Sequence, residues 1–145
     1  MDIREYLQQC EMLCHELERL KERIAALRHM RDGVRAFFVK EIRSRRQEDK
    51  ISAGIAEIDA LEDLYVQKVT LALRLKYDYQ LLFDRLPDRR LRMLLELRYI
   101  DMLSYADISE KMYYSLRSCH NMHNAALAQL QKLWDANRLA RCSGS

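Results

Sequence analysis

Three groups of side chains in this 145-residue chain have types and spacing that invite chemistry. Cys10, Cys14 and His15 lie close on one expected helix and carry donors that suit a zinc-type ion. A tetrahedral site needs a fourth ligand, usually from a second segment, and Cys119 and Cys142 bring no CxxC pair. Cys10 also falls on an apolar stripe, so no metal and no cofactor is expected, and the thiols are expected to be reduced, as in a cytosol. His120 and His123 share a helix face and could suggest proton transfer. Without a carboxylate or cysteine at ligand spacing they read as groove-facing or solvent-facing polar residues. The third group is Leu116, Arg117, Ser118, His120 and Asn121. Arginine pairs with guanine, asparagine with adenine and serine with several acceptors, and a leucine can meet a thymine methyl. The chain has no Gly-rich phosphate loop, nucleophile elbow or paired-carboxylate constellation, so it does not read as an enzyme.

For that third group to face outward, its helix must turn Cys119, Met122, Ala126, Leu127, Leu130 and Leu133 inward. Ser115 is its expected N-cap. Upstream, Ser104-Tyr105-Ala106-Asp107 has the spacing of a capping box and opens a short helix with Ile108 and Met112 inward. Tyr113-Tyr114 makes the turn between the two. A further helix from about Asp88 to Ile100 buries Leu91, Leu94, Leu95 and Tyr99, and Trp134 is expected to close the last helix onto this module. A short helix, a tight turn and a longer capped helix form a helix-turn-helix, whose second helix can enter a DNA major groove. Tyr77, Tyr79, Tyr113 and Tyr114 read as partly buried core rather than base-stacking platforms.

The segment from Leu86 to Leu130 resembles region 4 of bacterial RNA polymerase sigma factors. The residues that carry the resemblance are LLELRYI (94–100), LSYADISEKM (103–112), and Ser115 placed four before Cys119 and eleven before Ala126. Tyr114-Ser115 and MHNAAL (122–127) are similar to small phage and prophage proteins with a module of this type behind a long charged helical region. The resemblance implies a transcription regulator acting on double-stranded DNA in a bacterial cytoplasm, with host RNA polymerase as a further contact. It implies that Arg117, Ser118, His120 and Asn121 read bases, beside Leu116. Arg98, Ser104, Tyr105, Lys111 and Ser115 would touch the DNA backbone. The turn position, usually a small residue in this family, is Tyr113, so a bulky side chain is expected on a strained backbone. With Arg117 the one fixed cation on the reading face, the alternative is an adaptor that binds RNA polymerase or another phage protein without gripping DNA.

The rest of the chain must support this module. Three glycines and one proline cannot punctuate a β-rich or α/β fold, and 49% apolar with 32% charged residues is the balance of long amphipathic helices, so the fold class is all-α. Ile3, Cys10, Leu17, Ile24 and Phe38 form one heptad series, and Tyr6, Leu13, Leu20, Leu27 and Val34 the other. A bend is expected at Gly33. Residues 44–50 lose all apolar character and read as a turn, with Asp49 capping the next helix. A second stripe then runs from Ile51 through Ile58, Tyr65, Ala72 and Tyr79 to Leu86. Two stripes joined by a short turn suggest an antiparallel helical hairpin; the same seams could serve a homodimer. Pro87 places the boundary between a coiled-coil-like arm (1–86) and the module (87–134), followed by a polar tail (135–145).

Net charge is +3, but it is unevenly spread. Residues 19–46 are strongly basic and 47–86 lean acidic, so Arg28 to Arg46 either meets DNA phosphates or forms a solvated face beside the acidic stretch. The start lacks the apolar core of a signal peptide and no run is long enough to span a membrane.

Overall fold

The computed structural model describes the backbone of residues 2–38 and 45–143, and side chains within 2–33 and 52–137. Expectations at Val34, Phe38, Ser44, Ile51, Cys142 and the basic block from Arg35 to Arg46 therefore concern side chains or turns outside the described residues. Among the described residues all regular structure is helical, with five α-helices and no strand. They are α1 (Ile3–Phe38), α2 (Arg45–Phe83), α3 (Arg89–Leu95), α4 (Tyr105–Met112) and α5 (Leu116–Ser143), with a π-helical turn, Glu96–Ile100, continuing α3. Among the described residues no helix is long and apolar enough to cross a membrane.

Local chemistry starts and stops these helices. The Asp2 carboxylate accepts the Glu5 N–H at 2.8 Å and so caps α1, which runs unbroken through Gly33. Helix α2 begins at Arg45, which corrects the expectation for residues 44–50: Asp49 lies inside the helix rather than capping it. Arg, Gln, Glu and Lys are good helix formers, so loss of apolar residues removes a buried face without ending the helix. After Phe83 and a tight turn, Asp88 caps α3 by accepting the Arg90 N–H at 2.9 Å. That backbone bond, with the Arg90 guanidinium, holds the Asp88 carboxyl below its ordinary range.

The contacts group into two compact units. In the unit Leu13–Ala72, α1 and α2 run antiparallel, with ion pairs Glu16–Lys68, Arg23–Glu57 (3.9 Å) and Arg28–Glu62. Ile24, Ile58 and Ala72 are buried between them, so here the two apolar stripes face each other within one chain. The Arg23–Glu57 and Arg28–Glu62 pairs are exposed and fix register more than stability. Arg28 and Arg31, at the start of the basic block, are paired with Glu62 and Asp32.

The second unit takes in Met1–Met12 and Leu73–Ser145, so the first turns of α1 and the last turns of α2 pack with the C-terminal helices. Pro87 lies inside it, in the connection between α2 and α3. Its centre is Tyr79, fully buried. The Tyr79 ring meets Tyr6 edge-on at 5.1 Å and lies 6.1 Å from Phe83. Its hydroxyl donates to the Tyr6 carbonyl and accepts the Cys10 N–H at 3.3 Å, so it reaches two backbone groups one helical turn apart. Burial holds this phenol well above the usual tyrosine range. The backbone N–H of Ile3, one of the unpaired donors at the head of α1, donates to Gln131 Oε1 at 3.1 Å. Trp134 packs on Tyr6 at 4.7 Å, so the last helix closes onto α1.

Candidate nucleic-acid interface

Three residues join α4 to α5, and each is held. Ser104 caps α4: its Oγ accepts the Asp107 N–H at 3.2 Å. Ile108 and Met112 turn inward from that helix. The chain leaves α4 through Tyr113 in the left-handed region, φ 59° and ψ 35°. A side chain there crowds the following carbonyl, at a cost of roughly 1–2 kcal/mol. Its neighbours fix the conformation. The Tyr114 carbonyl accepts from Ser109 Oγ, and the Tyr114 side chain interacts electrostatically with Arg90. Ser115 then caps α5, its Oγ accepting the Ser118 N–H at 3.1 Å while donating to Ser118 Oγ at 2.9 Å.

Helix α5 buries Cys119, Ala126, Leu127 and Leu130, with Met122 and Leu133 half-buried. The opposite face of its first two turns therefore presents Leu116, Arg117, His120 and Asn121 as exposed side chains, with Ser118 half-buried. Of the residues expected at a DNA backbone, Ser104, Lys111 and Ser115 are exposed and Tyr105 is half-buried. The Tyr105 ring lies 4.2 Å from that of His120, so the start of α4 and the outward face of α5 adjoin. Arg98 is engaged within the protein. It reaches the Leu103 carbonyl at 3.4 Å and Glu11 at 3.6 Å, and its guanidinium lies 5.2 Å from the Tyr105 ring centre. The hydroxyls of Ser115 and Ser118 already serve the cap, which leaves the Ser118 O–H as the free donor of the pair.

His123 corrects the expectation drawn from the sequence. It is buried, not groove-facing, and shares a 2.7 Å hydrogen bond with the Tyr99 hydroxyl. The reason is positional: 119, 123, 126 and 130 are spaced by four, three and four, which puts His123 on the inward stripe. Burial, then the nearby Arg4 and Arg98 guanidiniums and His120, push its pKa down to about 4. Burial likewise pushes the Tyr99 phenol up to about 12. The unfolded chain, with an ordinary histidine pKa near ~6.5, binds a proton that the folded chain refuses. This contribution to stability is full above about pH 6.5 and is lost as pH falls towards 4. Thermal melts at pH 7.5 and 5 are expected to show a larger drop for the native chain than for His123→Gln, which keeps a polar partner for Tyr99 without titrating; equal drops would remove His123 from the account.

Two features had no place in the sequence reading. The π-helical turn shifts the ladder to the Asp101 N–H and Glu96 carbonyl at 2.9 Å, letting Leu97 and Tyr99 join Leu94 and Leu95 in the core. Met102 then adopts φ 59°, so that the Leu103 N–H reaches back to the Leu97 carbonyl at 2.9 Å and ends the segment. Among the described residues no cluster of His, Cys, Asp and Glu could hold a metal ion. A comparison with family models, curated proteins and solved structures gives no match.

Proposed function

We propose that this chain is a DNA-binding transcription regulator of phage or prophage type, acting in a bacterial cytoplasm, with α4, the Tyr113–Ser115 connection and α5 as a helix-turn-helix like that of sigma region 4. One observation carries the reading. A capped α5 buries Cys119 while its exposed first turns hold Leu116, Arg117, His120 and Asn121, the side-chain types that read base edges. Ser104, Tyr105, Lys111 and Ser115 flank that face and would meet phosphates, the two serines at helix N-termini. Host RNA polymerase is a further proposed partner, and the long helices are the proposed surface for a second copy. Selection from a random duplex library, followed by anisotropy across a salt series, tests the reading. Binding is expected to weaken with salt by a logarithmic slope of about −0.9 per phosphate contacted. No enriched site, and no binding at about 50 mM salt, would overturn it.

A second reading, an adaptor that docks on RNA polymerase without gripping DNA, is favoured by a different observation. Arg117 is the one arginine or lysine among residues 116–121, and the Arg98 guanidinium is tied to Glu11 and Leu103.

A further inference from the structure

We propose that Tyr113 is itself a DNA contact, its ring packed on the sugar–phosphate backbone beside α5 and its hydroxyl donating to a phosphate oxygen; this rests on the DNA-binding reading above. Three observations support it. The side chain is 94% exposed, so it contributes almost no burial to the fold. Its backbone is left-handed, where glycine would sit without strain. Its backbone neighbours nevertheless hold it: Ser109 bonds the Tyr114 carbonyl on one side, and the Ser115 cap fixes the other. An exposed aromatic on a strained backbone gains nothing within the protein, and residues of this kind concentrate where a ligand is met.

The position selects the class of contact. When the second helix of a helix-turn-helix lies in the major groove, the first crosses the backbone, so the turn between them faces sugar and phosphate rather than base edges. Between the exposed Lys111 and Arg117, a phenol adds a neutral donor and an apolar plate to a cationic rim. Because its backbone is fixed, little freedom is lost on binding. A neutral contact of this kind strengthens binding to every sequence alike and releases no counterion.

The test uses the full chain with Tyr113→Gly, Tyr113→Asn and Tyr113→Phe, each melted first and then titrated on a selected and a scrambled duplex. Glycine and asparagine both accept left-handed angles, so these two variants are expected to melt at or above the native temperature. Both are expected to bind roughly tenfold more weakly, equally on the two duplexes, with an unchanged salt slope. Tyr113→Phe keeps the ring and is expected to lose roughly fivefold, the size of one neutral hydrogen bond. Native affinity in Tyr113→Gly and Tyr113→Asn would overturn the contact. Native affinity in Tyr113→Phe would overturn the phosphate bond, and a loss confined to the selected duplex would overturn the backbone assignment. If the native chain binds no duplex, the functional reading itself fails; if it binds and the variants match it, this inference fails alone.

Discussion

Tyr79→Ala is expected to lower the unfolding free energy by about 4 kcal/mol, within the 3–5 kcal/mol typical of emptying a buried aromatic site. The ring is fully buried and touches Tyr6 and Phe83, so its removal opens a void between α1 and α2. Tyr79→Phe separates the ring from its hydroxyl. The hydroxyl reaches the Tyr6 carbonyl and the Cys10 N–H, which are helical partners and can satisfy each other without it. The phenylalanine variant should therefore cost only about 1 kcal/mol, one net hydrogen bond. Urea unfolding followed by Trp134 fluorescence measures both, since the single tryptophan packs on Tyr6 and reports the same contact. If phenylalanine proves as damaging as alanine, the hydroxyl rather than the ring joins the two helices.

The second large effect is on DNA. Arg117→Ala and Asn121→Ala are each expected to reduce affinity for a selected site by about 1–3 kcal/mol, roughly five- to 150-fold, and to relax preference at one base pair apiece. Both side chains are exposed, and surface changes of this kind stay within about ±0.5 kcal/mol, so melting should be unaffected. The two readings of function part here. A DNA-binding regulator loses promoter binding and its effect on transcription together. An adaptor keeps partner capture and cellular effect in the double variant. Capture of RNA polymerase, set beside anisotropy on the same preparations, reads both. Undiminished affinity for the selected duplex would remove Arg117 and Asn121 from the reading face.

Much of the local structure was legible because its causes are local. Ser104, Ser115 and Asp88 stand at helix starts since each has an oxygen within reach of an N–H two or three residues on. The inward positions Ile108, Met112, Cys119 and Leu130 follow from helical periodicity alone. By residue type His123 reads as groove-facing, but its spacing from Cys119 and Ala126 marks it as inward. A strict heptad links Ile3 to Cys10 and skips Leu7, the buried residue between them. Polarity at residues 44–50 resembles a turn signal, yet α2 already begins at Arg45.

Other features have no local sign. The π-helical turn is chosen by where Leu97 and Tyr99 must pack. Tyr79 was visible as a stripe residue, but its hydroxyl finds partners 69 and 73 positions away. Arg98 matched a phosphate-facing position in the sequence, and only the fold shows its guanidinium reaching Glu11 on α1. Exposure of Leu116, Arg117, His120 and Asn121 follows from the helical period; which of them meets a base depends on a partner molecule.

The pairing of Ile3 with Gln131 also bears on how the protein is made. The two residues are 128 apart. At a ribosomal rate of about 5–20 residues per second, roughly ten seconds separate their synthesis. The first turns of α1 are therefore translated well before the surface that receives them. During that interval Ile3, Leu7 and Cys10 form an apolar stripe without its final neighbours, the kind of segment that holding chaperones capture. Maturation of this unit is thus timed by the arrival of α5, whose Gln131 and Trp134 latch the first turns of α1 in place.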